Sequence, residues 1–139
     1  MSEANCVLRW TDSYRVNVAI LDQQHQELFK VVNELEQALR VGEGHTAIGK
    51  ILDRLVTYAG LHFAAEESLM EQHHFPGLPT HRIQHEVFRK KLLTFLEKHR
   101  TARSGVPIEV LLLLQSWLKQ HVLNIDKLYS KFLNERGVR

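Results

Sequence analysis

Apolar residues recur along most of this chain at alternating steps of three and four, the spacing of one buried helix face. Leu21, His25, Leu28, Val32, Leu35 and Leu39 form a first stripe, and Ile48, Leu52, Leu55, Ala59, His62, Glu66 and Leu69 a second. Leu78, His81, His85, Phe88, Leu92, Phe95 and His99 form a third, and Leu111, Leu114, Leu118, His121, Ile125, Leu128 and Phe132 a fourth. Glycine and proline fall between the stripes, at Gly42-Glu43-Gly44, Phe75-Pro76-Gly77-Leu78-Pro79 and Ser104-Gly105-Val106-Pro107. The pattern predicts helices over 20–41, 46–73, 79–103 and 107–136. Pro79 and Pro107 suit first turns, and Gly42, Gly105 and Gly137 suit C-terminal stops. Asp22 is a candidate cap inside the first stretch, which would start that helix a few residues late.

Four amphipathic helices with short links predict an all-α, antiparallel up-down-up-down four-helix bundle over 20–136. Residues 1–19 carry no such pattern and are expected to form an irregular arm, with Trp10 and the Val16/Val18 alternation laid against the bundle. The chain has 139 residues, enough for one domain with a real core.

Composition narrows the function. A net charge of +2 with scattered basic residues gives no nucleic-acid footprint and no polybasic membrane patch. The longest apolar run, Val110 to Leu114, is too short to span a bilayer, and Met1 to Trp10 does not read as a secretory signal. A single cysteine, Cys6, excludes an intramolecular disulfide and fits a reducing, cytoplasmic setting. The unusual feature is nine histidines.

His25, His62, Glu66, His81, His85 and His121 occupy core-facing positions, and Asp126 lies beside core-facing Ile125. A lone buried histidine is usually a hydrogen-bonded core residue. Six polar groups spread over four stripes imply something else, since an ionised carboxylate is rarely buried without a partner. His62-x-x-x-Glu66 and His81-x-x-x-His85 are four apart, so each pair aims two donors from one helix face. His121 and Asp126 are five apart, about 140° round an ideal helix. That pair converges only if the aspartate reaches sideways or the helix widens locally. Five imidazoles and two carboxylates exceed a structural zinc site and suit two first-row ions with bridging carboxylates. With one solvent-derived bridge added, two six-coordinate ions keep one open position, as a small-molecule site requires.

The order His25 … His62-Phe63-x-x-Glu66-Glu67 … His81-x-x-x-His85 … His121-x-x-x-x-Asp126 resembles the hemerythrins, specifically the bacterial single-domain bacteriohemerythrins. The likeness extends to Ile20-Leu21-Asp22-x-Gln24-His25, Met70, Phe75-Pro76 and Trp117-Leu118, and runs from Trp10 to Tyr129. It implies two non-haem iron ions (Fe2+/Fe3+) with an oxo or hydroxo bridge. His81, His85 and His121 would bind one iron, His25 and His62 the other, and Glu66 and Asp126 both. Dioxygen would bind reversibly at the two-histidine iron, in an apolar pocket that includes Trp117 and Leu118. The expected role is an oxygen carrier, store or delivery protein, a monomer and not an enzyme, with an oxygen-consuming enzyme as a candidate partner.

Other readings are open. A ferritin-like di-iron oxidase would need two Glu-x-x-His motifs, and only Glu71-x-x-His74 has that spacing. Peroxide or nitric oxide handling could occur at the same centre. An oxygen or redox sensor would have to act through a partner. Glu67 is an alternative ligand by type, although the four-residue step from His62 favours Glu66. His45, His73, His74 and His99 sit near helix ends and are expected to be solvated or to pack.

Overall fold

The structure, a computed structural model, describes residues 8–139. Cys6 and the first seven residues of the expected arm lie outside it. After a short 3-10 turn at Asp12–Tyr14 come α1 (Ala19–Arg40), α2 (Gly44–Gln72) and α3 (Leu78–Arg100). The fourth bundle helix is composite: α4 (Val106–Trp117), a π-helical segment Leu118–Ile125, and α5 (Asp126–Glu135). The antiparallel four-helix bundle is as the periodicity predicts. Among the described residues no helix is long and apolar enough to cross a membrane.

The helix ends follow local chemistry. Pro79 and Pro107 lie in first turns, where a missing N–H costs nothing. Gly42 and Gly137 take left-handed conformations just past α1 and α5. Gly105, expected to stop the third helix, instead precedes the fourth; Ala102 takes the left-handed position after α3 at φ 58°. His74 does the same after α2. Asp22 does not cap α1, which starts before it. Its carboxylate accepts the Val16 N–H at 2.7 Å and pins the incoming arm. Ser130 secures the same stretch from α5, donating to the Val16 carbonyl at 2.7 Å. Val16 and Val18 are buried, and Trp10 and Tyr14 pack on Phe29.

Two hydrophobic clusters fill the bundle. The larger runs from Leu28, Ala59, Phe63, Phe88, Leu118 and Val122 toward the α1–α2 link. The smaller holds Val16, Val18, Leu21, Met70, Leu78, Tyr129 and Leu133. His25, Glu66, His81, His85 and Asp126 fall in sequence between the two, and His62 and His121 at the edge of the larger. The polar cluster is therefore a layer closed at both ends by hydrocarbon.

The first three stripes are buried nearly as the periodicity predicts. The fourth is not. Beyond His121 the inward positions are Asp126, Tyr129, Ser130 and Leu133, while Ile125 is only half-buried and Leu128 is 62% exposed. The cause is the π segment. Its hydrogen bonds span five residues instead of four, so it turns less per residue and retards the register by one position.

Candidate metal centre

All seven predicted residues converge. His25, Glu66, His62, His81, His85, His121 and Asp126 are each at most 5% exposed. Their donor atoms form two groups, each within 4.8 Å of one another: His25, His62 and Glu66, and His81, His85, His121 and Asp126. The π segment contains His121 and ends at Ile125, just before Asp126, so local widening brings residues five apart to one side of the helix.

The carboxylates lie between the groups. Glu66 Oε2 is 3.1 Å from His25 Nε2 and 3.2 Å from His62 Nε2, while Oε1 is 3.1 Å from His85 Nε2 and 3.9 Å from His81 Nε2. Asp126 Oδ2 is 3.2 Å from His25 Nε2, while Oδ1 is 3.0 Å from His121 Nε2 and 3.1 Å from His81 Nε2. Each carboxylate turns one oxygen to each histidine group.

Outer partners orient several of these rings. His62 Nδ1 lies 2.6 Å from Gln24 Oε1, and His85 Nδ1 lies 2.8 Å from Glu67 Oε2. Glu67 is in turn held by Arg82 Nε at 3.1 Å, and Arg82 also reaches Glu71 at 2.9 Å. Glu67 therefore stands behind His85 rather than at the cluster centre. The Tyr129 hydroxyl donates to Glu66 Oε2 at 2.5 Å. Phe63 stacks on His85 and Trp117 on His121, each pair with centroids 3.8 Å apart. Leu118 is fully buried in the larger cluster, whereas Trp117 is half-buried and lines a groove of about 650 Å³ with Phe88, Lys91, Gln120 and His121. His45 and His74 are exposed, and His99 packs half-buried against Gly49.

The electrostatics follow from two buried carboxylates set among imidazoles. Burial disfavours a charged His25, yet hydrogen bonds to Asp126 and Glu66 outweigh it and push the imidazole up to about 10. Burial also opposes charge on Glu66, but the His62 charge and hydrogen bonds from His25, His62 and His85 hold it well below the usual carboxylate range. Asp126 is likewise lowered, against burial and the Glu66 charge, by His121, His25 and His81. His85 is raised, since its bonds to Glu66 and Glu67 and the nearby negative charge outweigh burial; burial wins at His121, which is lowered. Burial and the two carboxylates raise Tyr129, which stays a protonated donor.

Protons alone serve this cluster poorly. Glu66 Oε1, both Asp126 oxygens and His85 Nε2 are buried with no aligned hydrogen bond, and His81 and His121 face each other Nε2 to Nε2 at 3.2 Å. Lone pairs aimed at a common point are the arrangement cations satisfy. Imidazole nitrogen with carboxylate oxygen is also the donor set that iron accepts. The residues fit the group: a helical bundle holding two histidine groups with carboxylates between them defines a metal-binding protein, its cluster suited to a di-iron centre with an oxo or hydroxo bridge.

Comparison with known proteins agrees. The family model for the hemerythrin HHE cation binding domain matches residues 16–133. A bacteriohemerythrin of Stenotrophomonas maltophilia is 31% identical, over 89% of this chain and 80% of the relative. One from Methylococcus capsulatus is 28% identical over 92% and 98%, and a myohemerythrin of Sipunculus nudus 29% over 87% and 89%. A crystal structure of wild-type hemerythrin superposes with a TM-score of 0.81 at 28% identity, covering 90% of this chain and 96% of that one. The chain therefore belongs to the hemerythrin family, with its similarity on the bacteriohemerythrin side.

Proposed function

We propose that the chain binds dioxygen reversibly at a non-haem di-iron centre and serves as an oxygen carrier, store or delivery protein rather than as an enzyme. One observation carries this reading: each carboxylate turns one oxygen to a three-histidine side and the other to a two-histidine side. His81, His85 and His121 would hold one iron, and His25 and His62 the other, with Glu66 and Asp126 bridging. Both irons then share the same carboxylate donors, and the two-histidine side is one donor short. That side is the place for dioxygen. A reduced di-iron pair supplies the electrons and the open coordination position that dioxygen binding uses.

The chain's own residues supply the rest. Gln24 fixes the ring of His62 and Glu67 that of His85, so the donors are aimed before metal arrives. Leu118 and its neighbours Phe63 and Val122 close the layer with hydrocarbon, and Trp117 covers His121. Such surroundings exclude the water and anions that would end reversibility. The bacteriohemerythrin and myohemerythrin relatives support the reading. Carriage, storage and delivery to an oxygen-consuming enzyme in the cytoplasm are all roles this chemistry would serve.

Iron analysis with optical spectra of the reduced protein, before and after air and after removal of oxygen, tests it. Two irons per chain and oxygen-dependent bands that disappear on deoxygenation are expected. Fewer than about two irons, or no spectral response to air, would sink the proposal.

A further inference from the structure

The two sides of the cluster differ in what acts on their carboxylate oxygens. Among the described residues, only Glu66 Oε2 takes a hydrogen bond from outside the cluster, the one from Tyr129 at 2.5 Å. Among the described residues, Glu66 Oε1 and both oxygens of Asp126 have no donor from outside the cluster. The occupied oxygen is the one turned to His25 and His62, while Oε1 turns to His85. Tyr129 is fully buried, one helical turn beyond Asp126 on α5. Its hydroxyl is shut off from bulk solvent, and its hydrogen bond to an ionised carboxylate is of the strong, charge-assisted kind.

A donated hydrogen bond draws density from the accepting oxygen and occupies a lone pair that a cation would otherwise use. The metal on the His25/His62 side therefore receives a weakened carboxylate donor. The opposite side has a charged acceptor behind its ring where His62 has only the neutral Gln24 amide. Glu67 accepts from His85 Nδ1, which makes that imidazole more basic toward metal. We propose that Tyr129 is a positioning residue that makes the His25/His62 position the weaker and more exchangeable of the two metal sites, by occupying the Glu66 oxygen that serves it. The inference rests on the reading of Glu66 as a bridging ligand.

The same hydroxyl has a second effect, on the protein without metal. There it shares one oxygen of a buried carboxylate with His25, and losing a donor to a buried charge is expensive. Removing the hydroxyl should thus destabilise the metal-free protein more than the loaded one, and the difference must appear as tighter metal binding.

The test is a Co(II) titration of metal-free wild-type and Tyr129→Phe protein, followed by calorimetry and visible absorption. His62→Ala identifies which binding step belongs to the two-histidine side. Tyr129→Phe should tighten that step about tenfold, the scale of one charged hydrogen bond, and leave the other step within about twofold. It should also lower the melting temperature of the metal-free protein and hardly change that of the loaded one. Phenylalanine keeps the ring and its packing. A role in packing alone would lower both melting temperatures and shift neither affinity. That result, or a two-histidine step unchanged or weakened, overturns the inference and leaves the site reading intact. A wild-type protein that takes up fewer than two Co(II) ions overturns both.

Discussion

Removing Asn124 tests the register argument directly. Asn124 is exposed and lies inside the π segment, between His121 and Asp126. In an ordinary α-helix, deleting one residue rotates everything beyond it by about 100°. That would swing Asp126, Tyr129 and Leu133, all at most 1% exposed, off the core. Here the helix already carries one residue more than an α-helix needs, so the deletion can be absorbed by converting π turns to α turns. The inward positions would then follow steps of three and four. We expect Asn124-deleted protein to fold, to gain α-helical signal, and to lose no more than about 2 kcal/mol. Deleting exposed Leu112, in the regular part of the same helix, offers no such escape. Burying Tyr129 and Leu133 is worth about 2–5 kcal/mol each, against a total stability of about 5–15 kcal/mol, so that variant should not fold stably. Far-UV circular dichroism and denaturant unfolding of the metal-free proteins decide the matter. Equal damage from the two deletions would refute the claim that the π segment holds one surplus residue.

Three changes at the site and one at a helix end have defined outcomes. His62→Ala should lose metal from the two-histidine side and keep about one iron; two irons with reversible oxygen binding would reverse the assignment. Glu67→Gln removes the charged acceptor behind His85 and should weaken metal at the three-histidine side about 10- to 100-fold, read by competition with a chelator. Because His25 is raised to about 10 in the metal-free protein, its proton stabilises that form fully below the unfolded imidazole pKa of about 6.5. The stabilisation is lost as pH rises through about 10. Metal must displace that proton, so uptake should release protons and weaken as pH falls; calorimetry in buffers of different ionisation enthalpy measures the release. Ala102→Gly relieves a left-handed alanine at φ 58° and should raise stability by up to about 1 kcal/mol, detectable as a higher denaturation midpoint.

Three of the four helices were legible because an amphipathic α-helix on a core obeys one period. Leu21 to Leu35, Ile48 to Glu66 and Leu78 to Leu92 are buried at the positions the stripes predict. The fourth stripe fails at the point where the period changes. A fixed turn of about 100° per residue extrapolates past His121 to Ile125 and Leu128, and both are wrong. The signal was present in another form. Val110, Leu114, Leu118, Val122, Asp126 and Ser130 are all buried and recur every fourth residue, a spacing only an underwound helix keeps on one face. The seven residues of the cluster were readable because buried carboxylates and histidines are rare. Gln24 and Tyr129 carried no such mark. A glutamine beside a ligand and a tyrosine in a core are ordinary, and only the folded distances show that one orients His62 and the other holds Glu66. The left-handed turns at His74 and Ala102 were hidden for a similar reason, since neither residue favours that conformation.

The π segment and the polar layer answer to the same constraint. A cluster bridged by Glu66 and Asp126 needs a carboxylate from the fourth helix on the same level as His121 and within reach of His25 on α1. Placing it four residues from His121 would satisfy the first need with an ordinary helix. Asp126 instead follows at five, and the turn beyond it brings Tyr129 onto Glu66 and Ser130 onto the arm at Val16. The underwound stretch thus sets three contacts at once: the Asp126 carboxylate in the cluster, a donor to Glu66, and the clasp on the N-terminal arm. Metal held by Asp126 and Glu66 would pull on the first two, and the helix would transmit that pull to the third. On this argument the Val16 amide, bound to Asp22 on α1 and flanked by the Ser130 bond from α5, should exchange its hydrogen more slowly when metal is bound. Hydrogen exchange at Val16 that ignores metal would show that the segment serves the site alone.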